Sequence, residues 1–457
     1  MALNIQLNPE KQFQRIEGFG ASGAWWAQIV GGWEHIDPAS GKPVRDRISE
    51  MLYSREKGIG LQIYRYNIGG GSKRSGKGRF SQPARRADSF DAGDAQYDWS
   101  RDAQAVYMMR QAVRDGAGEI VLFVNSPPER LTKNHKTHVG LFRSFQENLS
   151  RKNYDAFVRY CLDVTEHFVE EGLPVKYLSP INEPVWVWNG GQEGCHYHPS
   201  SAGRLFQTFA RALEDRDALQ MVKLAGMEVG DIRWFNKAYT RCLLKDPLVR
   251  RHLDSVDIHS YFHPVPLPFC NNRIAFLKRF RRWMDQQYPG MPVKMSEWTH
   301  MQEGRDRGMD SALVMARTMV EDLSIMQVTS WQHWIAVSEV DFCDGLIYID
   351  LETKTFEPTK RLYATGNFSR YLQPGARRID ASCASPELKV LAFQQGGQTV
   401  LIAVNFSQSA QKVTVSPNPH SRMKLAVTDA SHDLAERWVE TGEALALSPR
   451  SVNTLVF

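Results

Sequence analysis

Short apolar runs alternate with amphipathic stretches along the first 365 residues or so of the chain. Runs of this length that are rich in apolar and β-branched residues predict buried strands. Eight such runs occur, at residues 16–25, 60–68, 119–125, 175–181, 223–229, 255–262, 292–298 and 328–334. Apolar residues recur at helical spacing between them, as over residues 153–171, 202–213 and 274–287. Eight strand–helix units predict an α/β fold, a closed parallel (β/α)8 barrel.

The pattern changes after about residue 365. Short strands separated by turn residues are predicted at 388–393, 399–405, 411–415, 424–428 and 451–457. Gly396-Gly397 is a hairpin signal. We therefore expect an antiparallel β-sandwich, to which the alternating residues 3–7 add a strand. The predicted domains are a catalytic barrel at 14–365 and a side domain built from 1–13 plus 366–457.

Composition and charge narrow the class of protein. The chain has 457 residues, of which 42% are hydrophobic and 23% charged, as in a soluble globular protein with a large core. The net charge of +5 is small for this length. Basic residues cluster in 72–86, for which a solvated loop is the favoured interpretation and a rim that attracts acidic sugars the alternative. No nucleic-acid recognition motif accompanies the cluster, so we expect no nucleic-acid partner.

Cysteine, histidine and hydropathy patterns give no sign of a cofactor or membrane. The six cysteines are scattered without a CxxC motif, so we expect free thiols, although distant pairs remain possible. His196 and His198 are too isolated for a convincing zinc site, and no motif indicates a metal or an organic cofactor. No apolar run is long enough to span a membrane. The N-terminus lacks a signal-peptide core, so the expected location is cytoplasmic, or secreted if a signal has been removed.

Carboxylates at predicted strand ends are the candidates for catalysis, because barrel active sites lie at the C-terminal ends of strands. Strand four ends in Asn182-Glu183-Pro184, strand seven in Ser296-Glu297-Trp298, and strand five carries Glu228. Two carboxylates at a barrel mouth can flank one glycosidic bond, and in a retaining enzyme they lie roughly 5–5.5 Å apart. The pair Glu183 and Glu297 is therefore the strongest candidate, ahead of Glu17 and Glu193.

The wider motif set resembles glycoside hydrolase family 30 of clan A. The matching pieces are Ile-Glu-Gly-Phe-Gly-Ala-Ser-Gly at 16–23, Tyr-Arg-Tyr-Asn-Ile-Gly-Gly-Gly at 64–71, Asn-Ser-Pro-Pro at 125–128, Ser-Pro-Ile-Asn-Glu-Pro at 179–184, and Ser-Glu at 296–297. This resemblance implies a barrel with a side β-sandwich made from both termini. It also implies that Glu183 is the general acid/base and Glu297 the nucleophile of a retaining β-glycosidase.

The same resemblance assigns roles to neighbouring residues. Asn182 would hydrogen-bond the sugar 2-hydroxyl. Arg65 would pair with Glu297 and keep it ionised, and a structural salt bridge is compatible with that role. Tyr261 is placed to donate to Glu297, with ordinary core packing as the alternative. Glu228 is a candidate for binding a sugar hydroxyl, although an acid behind the site or at the surface is the preferred interpretation.

Tryptophans at strand ends are candidate saccharide platforms, because sugar rings present apolar faces that pack on aromatic side chains. Trp331 and Trp334, at the end of strand eight, are the foremost candidates. Core packing is the alternative for each of the tryptophans near strand ends, which also include Trp25, Trp26, Trp186, Trp188 and Trp298. The expected partner is an oligosaccharide or polysaccharide, and the sequence does not indicate an oligomeric state.

Within the family, the segment 186–195 and the Gly-Ala-Ser-Gly-Ala-Trp-Trp at 20–26 are similar to the endo-β-1,6-galactanase branch. This implies β-1,6-linked galactan or galacto-oligosaccharides as substrate. One departure is Glu129-Arg130 after Ser-Pro-Pro, where that branch carries an aromatic residue. The alternatives are β-glucosidase, β-xylosidase or β-fucosidase activity, or a carbohydrate-binding barrel without catalysis, which the presence of both carboxylates disfavours.

Overall fold

The computed structural model describes residues 2–93, 95–140, 143, 145–267, 270–418, 420–440 and 444–457. Its strands up to residue 298 are β1 (Leu3–Arg15), β2 (Gly18–Ser22), β3 (Ile36–Asp37), β4 (Lys42–Pro43), β5 (Ile63–Ile68), β6 (Asp91–Gly93), β7 (Gln96–Tyr97), β8 (Glu119–Val124), β9 (Val175–Ser179), β10 (Lys223–Leu224), β11 (Met227–Asp231), β12 (Val256–Tyr261) and β13 (Val293–Trp298). The later strands are β14 (Ser330–His333), β15 (Ile335–Ser338), β16 (Gly345–Asp350), β17 (Thr355–Pro358), β18 (Arg377–Cys383), β19 (Leu388–Gln395), β20 (Gln398–Asn405), β21 (Gln411–Ser416), β22 (Arg422–Thr428), β23 (Ala435–Glu440), β24 (Leu445–Leu447) and β25 (Ser451–Val456).

The α-helices fall mainly between the strands of the first part of the chain. They are α1 (Ala27–Val30), α2 (Val44–Tyr53), α3 (Ser72–Ser75), α4 (Ala103–Asp115), α5 (Tyr154–Glu170), α6 (Pro199–Glu214), α7 (Asn236–Leu244), α8 (Pro247–Arg251), α9 (Arg273–Gln287), α10 (Met309–Glu321) and α11 (Lys360–Ser369). Three of them, α5, α6 and α9, correspond to the helices predicted from apolar spacing. None of the helices in the described part of the chain has the length and apolar character needed to cross a bilayer.

A nine-stranded sheet contains all eight predicted barrel strands. Its order is β10-β9-β8-β5-β2-β14-β13-β12-β11. Strand five is divided into β10 and β11, so eight predicted strands become nine. Strands β5, β8, β12 and β13 are buried along their whole length, as expected when helices cover a parallel sheet. The prediction of a (β/α)8 barrel is confirmed.

The C-terminal strands and β1 form a second nine-stranded sheet, in the order β23-β22-β25-β20-β19-β18-β1-β21-β24. As predicted, the N-terminal segment joins this sheet, because β1 pairs antiparallel with β18. On its other side β1 pairs parallel with β21, which departs from the antiparallel pattern that was expected. Gly396 and Gly397 both have positive φ, 55° and 80°, which a two-residue hairpin turn requires. The buried core of this sheet includes Ile5, Leu7, Ile379, Leu388, Leu401, Val413, Leu425, Leu447 and Leu455.

The chain divides into two compact units. One comprises Met1–Gly20, Ile48–Gln62 and Thr299–Phe457, and the other comprises Ala21–Arg47 and Ile63–Trp298. The second unit contains the strands that end near Glu183, Glu228 and Glu297. All six cysteines are free, as the sequence predicts. The domain boundary near residue 365 stays a prediction.

Candidate active site

Arg65 lies at the centre of the polar cluster in the second unit. It is in the middle of β5, and its side chain is fully buried. Its Nη1 donates to Glu297 Oε2 at 2.7 Å, and its Nη2 donates to Asn182 Oδ1 at 2.8 Å and to Glu228 Oε2 at 3.2 Å. The guanidinium carbon also lies 3.6 Å from the ring centre of Phe123, a cation–π geometry. Residues from four strands or strand ends are therefore oriented around one cation.

Glu297, on β13, is almost completely buried and receives two donors. Arg65 contacts Oε2, and the Tyr261 hydroxyl donates to Oε1 at 3.1 Å. Burial raises the pKa of Glu297, and the carboxylates of Glu183 and Glu228 add to the rise, while His259 and Arg65 oppose it. Arg65 acts to lower the pKa of Glu297, as expected. The net change is nevertheless a rise, because the effect of burial is larger than that of the two basic side chains. Burial also raises the pKa of Tyr261 well above its usual value, so the hydroxyl stays a donor.

Glu183 follows β9 and is the most solvent-accessible of the three site glutamates. Its backbone has φ of 42°, in the left-handed region that costs a non-glycine residue on the order of 1 kcal/mol and is frequent at functional sites. Its Oε1 lies 2.9 Å from Nδ1 of His259, which in turn lies 3.5 Å from Glu297 Oε1. Burial acts to lower the pKa of His259, but Glu297 and Glu183 outweigh it and the pKa is raised.

Glu183, His259 and Glu297 form a compact cluster. One side-chain ligand atom from each lies within 4.8 Å of the other two, the arrangement that could hold a divalent cation. His259 Nδ1 already lies 2.9 Å from Glu183 and 3.5 Å from Glu297, and Arg65 lies 2.7 Å from Glu297, so a basic side chain is next to each carboxylate. The carboxylate oxygens are close enough for both glutamates to act on one bond.

Asn182 is fixed between Arg65 and a second amide. Its Nδ2 donates to Asn125 Oδ1 at 3.0 Å, and Asn125 Nδ2 donates to Asn67 Oδ1 at 3.2 Å. All three asparagines are buried. This chain of amides sets the orientation of Asn182, because a reversed amide would oppose Nδ2 to the Arg65 donor.

Glu228 faces Arg65 and has no accessible surface for the predicted contact with a sugar hydroxyl. Its side chain is fully buried, and its Oε2 accepts from Arg65 and from the Ser179 hydroxyl at 2.7 Å. A buried carboxylate beside a buried guanidinium satisfies that cation. In this geometry Glu228 supports Arg65.

The predicted tryptophans divide by exposure. Of the seven near strand ends, only Trp186 is exposed, with 57% of its surface accessible. Trp188 donates its indole N–H to the Glu183 carbonyl, 3.2 Å away. Trp331 is 1% exposed and donates to Asp322 at 3.1 Å, so it has no free face for a sugar and the prediction of a platform there is wrong. Trp334 and Trp298 are also buried. Their position at strand ends is the one argument that keeps them as candidate saccharide platforms.

Glu193, a weaker carboxylate candidate, joins two loops at the strand ends. It is 1% exposed. It accepts from the backbone N–H of Gly70 at 2.7 Å, from that of Ser72 at 3.1 Å, and from the Ser72 hydroxyl at 2.5 Å. The loop after β9 is thus tied to the loop after β5. Glu193 has a structural role in this geometry.

The unexpected residues Glu129 and Arg130 contact the segment 72–97. Glu129 accepts from the Ser75 hydroxyl at 2.7 Å and lies 3.8 Å from Lys77 Nζ. Arg130 donates to Asp91 at 2.5 Å. Glu129 therefore holds the basic loop, and Arg130 is paired with Asp91 on β6, outside that loop. Lys73, Arg74, Lys77 and Arg79 of that loop are exposed, as a solvated loop requires.

Sequence reasoning missed His259, Asn125 and Asn67 as members of the site. His259 lies two residues before Tyr261 on β12, so both side chains emerge on the same face of the strand. That spacing is a signal that could have identified it.

Similarity to known proteins agrees with this geometry. Residues 2–348 match the model of O-Glycosyl hydrolase family 30, and residues 375–455 match the glycosyl hydrolase family 30 beta sandwich domain. An endo-beta-1,6-galactanase from Hypocrea rufa is 23% identical over 444 residues, which cover 90% of this chain and 82% of that protein.

Two further matches differ in their extent. An exo-beta-1,6-galactobiohydrolase from Bifidobacterium longum subsp. longum is 28% identical over 218 residues, covering 37% of this chain and 14% of that protein. The crystal structure of a conserved exported protein from Bacteroides fragilis superimposes with a TM-score of 0.86 at 23% identity, covering 99% of this chain and all of that one. The latter shows that the fold is shared.

We predict that Gly230→Ala impairs the site through Glu183. A Cβ at Gly230 would lie 2.6 Å from Glu183 Oε1, closer than real contacts allow, so the carboxylate must move. A displacement of this kind costs on the order of 100-fold in kcat, measured on a chromogenic aryl β-glycoside. The matched control is Gly118→Ala, whose Cβ meets nothing within 4 Å. If Gly230→Ala had the kcat of the wild type, this result would contradict a role for Glu183 in the reaction.

We predict that Glu193 makes folding stability depend on pH. Burial raises the pKa of Glu193 to about 7 from a usual 4.5, so the folded state binds this proton more tightly than the unfolded chain. Its contribution is complete below pH 4.5 and is lost as the pH rises through 7, a decrease of about 1–3 kcal/mol. Glu193→Gln should therefore show a flatter decline in the free energy of unfolding, measured by urea unfolding from pH 5 to 8.

The control for this measurement is Glu440→Gln, at an exposed position. Because Gln presents one acceptor to the three donors, Glu193→Gln also carries a pH-independent loss of stability. Parallel pH curves for the wild type and Glu193→Gln would contradict the assignment.

Proposed function

The chain belongs to glycoside hydrolase family 30 and is a glycoside hydrolase, and we propose that it cleaves β-glycosides by double displacement with retention of configuration. Glu183 is the proposed general acid/base and Glu297 the proposed nucleophile. The observation that carries the proposal is that one carboxylate oxygen of Glu183 and one of Glu297 lie within 4.8 Å of each other. This separation agrees with retaining enzymes, since inverting enzymes hold their carboxyl groups roughly 6.5–9.5 Å apart.

In the first step, Glu297 attacks the anomeric carbon while Glu183 protonates the leaving oxygen. The two glutamates differ in their hydrogen-bond donors and in their exposure. Glu297 receives N–H and O–H donors from Arg65 and Tyr261, which stabilise a charged oxygen. Glu183 is more accessible, with 15% of its side chain exposed, so it can reach a leaving group and later a water molecule. In the second step, Glu183 removes a proton from that water while its oxygen attacks the anomeric carbon. The bond between this carbon and Glu297 breaks and releases Glu297 as a carboxylate.

The charge of the cluster is one negative unit when His259 is protonated and the three carboxylates are ionised. Three carboxylates, Glu183, Glu228 and Glu297, then face the two basic side chains of Arg65 and His259. In the proposed first step, Glu183 is the residue that delivers a proton to the leaving oxygen.

Asn182 and Tyr261 support the same reaction in proposed roles. Asn182 uses one N–H for Asn125 and keeps the other for the sugar 2-hydroxyl, an interaction that strengthens in the transition state. Tyr261 stabilises the nucleophile before attack and its carbonyl oxygen afterwards.

For the substrate, we propose β-1,6-linked galactan or galacto-oligosaccharides. The endo-beta-1,6-galactanase relative matches over most of both chains, and the shorter match also acts on a β-1,6-galactoside linkage by its name. Trp186 is exposed three residues after Glu183, and its backbone N–H donates to the Glu183 carbonyl at 3.1 Å. An aromatic wall so close to the acid suits the leaving-group sugar.

We predict that the two glutamates differ in chemical rescue. Glu297→Ala should abolish turnover, because no glycosyl–enzyme bond can form. Glu183→Ala should retain the first step on aryl glycosides, whose leaving group needs no proton, and azide should restore the second step because it attacks without a general base. The measurement is kcat with and without azide, together with identification of a β-glycosyl azide. Equal losses without rescue in both variants would reject these roles.

We predict a preference for β-1,6-galactobiose over gentiobiose and xylobiose. The comparison is kcat/KM on the three disaccharides at equal enzyme concentration. A tenfold preference corresponds to about 1.4 kcal/mol of transition-state discrimination. If gentiobiose or xylobiose is preferred by that factor, the galactoside proposal fails, while the double-displacement proposal is judged separately by the rescue experiment.

A further inference from the structure

A groove of about 830 Å³ lies within the first unit, beside the edge of the C-terminal sheet. Its walls include the end of α11 and the residues after it, the β19–β20 hairpin, and the outer face of β22 and β23. This volume is large enough for a short oligosaccharide. None of the residues assigned to catalysis above lines it.

Trp438 presents an aromatic surface to this groove. It lies on β23, the edge strand, and 57% of its surface is exposed. It pairs across the sheet with Lys424 on β22, and the guanidinium of Arg422 lies 4.6 Å from its ring centre. Edge strands usually carry charges to prevent pairing with other chains, so a large exposed indole there is costly unless it has a use.

The groove floor is held in place by ionic and hydrogen bonds. Glu436, also on β23, accepts from the Tyr371 hydroxyl at 2.7 Å and from Lys424 Nζ at 3.2 Å. Arg370 lies 3.8 Å from the same carboxylate. The side chains beneath Trp438 are thus ordered before any ligand binds, which lowers the entropic cost of binding.

The hairpin supplies amide groups on the other side. Gln395 donates to the Tyr371 carbonyl at 2.6 Å and accepts from the Gln373 backbone N–H at 2.9 Å. Gln398 opposes Gln395 across the turn and lies exposed at the groove. Planar amides and guanidinium groups can bind vicinal hydroxyls in pairs, while an indole packs on the C–H face of a sugar ring.

We propose that this groove is a non-catalytic saccharide-binding site that holds a stretch of the β-linked polysaccharide being cleaved. Galactose suits an indole in particular, because its axial 4-hydroxyl leaves one continuous C–H face. Trp438 is the platform, and Arg422 and Gln398 contact the hydroxyls. The choice of β-1,6-galactan as ligand rests on the proposed function. Binding at the groove raises the local concentration of polymer and has no effect on a substrate that fills only the catalytic site.

The test compares Trp438→Ala with the wild-type chain. Both proteins first carry Glu297→Ala, which stops hydrolysis. In native gels containing β-1,6-galactan, Trp438→Ala should then be retarded at least fivefold less than the protein that keeps Trp438. In the active background, KM on the polymer should rise at least threefold, while kcat/KM on an aryl β-galactoside stays within twofold. The matched control is Arg437→Ala, the neighbouring exposed residue whose side chain points to the other face of β23. Gln398→Ala is a second probe that should weaken retardation without changing the strand.

The outcomes distinguish a failure of the groove proposal from a failure of the proposal that β-1,6-galactan is the substrate. The same gels contain β-1,6-glucan or xylan in parallel lanes. If the enzyme cleaves one of these instead, and Trp438→Ala weakens retardation by that polymer, the groove is supported and the galactan assignment fails. If galactan is cleaved while Trp438→Ala and Gln398→Ala both migrate as the wild type does, the groove proposal is wrong. Concentration-dependent dimerisation lost in Trp438→Ala, without saccharide binding, would also overturn it.

Discussion

Arg65 is a cation with no access to solvent, and the candidate active site is arranged around the need to satisfy it. Moving a guanidinium out of water costs several kcal/mol unless its donors are paired. Here Glu228, Glu297 and Asn182 supply the acceptors, and burial acts against the charge while the two carboxylates restore it. Because these partners come from different strands or strand ends, the one cation fixes the relative positions of Glu297, the proposed nucleophile, and Asn182, the residue that precedes the proposed acid.

This arrangement explains why the site tolerates so many buried polar groups. The Glu228 carboxylate accepts hydrogen bonds from Arg65 and Ser179. The Glu297 carboxylate contacts Arg65, Tyr261 and His259. The asparagine chain 182–125–67 extends the same network to the end of β8 and back to β5, the strand that carries Arg65. Removing one member of such a network leaves its partners buried without compensation, a loss of about 3–5 kcal/mol for an ion pair. The network therefore couples the catalytic geometry to the stability of the second unit.

The loops at the strand ends are held by a separate set of contacts. Glu193 connects the loop after β9 with that after β5, and Glu129 contacts the basic loop at Ser75 and Lys77. Arg86 donates to the carbonyls of Ser72, Lys77 and Gly78, so this loop also has hydrogen bonds of its own. Glu129, which departs from the family pattern, therefore has a structural role at this loop.

The sequence by itself predicted the strands and the meeting of Glu183 with Glu297, because both depend on local patterns. Apolar runs and helical spacing mark each barrel unit, and the two glutamates follow from the rule that carboxylates at strand ends meet at the barrel mouth. The N-terminal strand and the hairpin at Gly396-Gly397 were predictable for the same reason. The strand pattern also placed Arg65 and Tyr261 on barrel strands, β5 and β12.

Only the tertiary structure decided what each side chain faces. Arg65 and Glu297 are 232 residues apart, and the depth of Trp331, the role of Glu228 and the contacts of His259 depend on partners equally remote in the chain. The periodicity of the sequence predicts which face of a strand a residue lies on. The burial and the charges at that face depend on the strands that pack around it. The same reason hides Trp438 from sequence reasoning, since its exposure follows from the edge position of β23 and not from its neighbours in the chain.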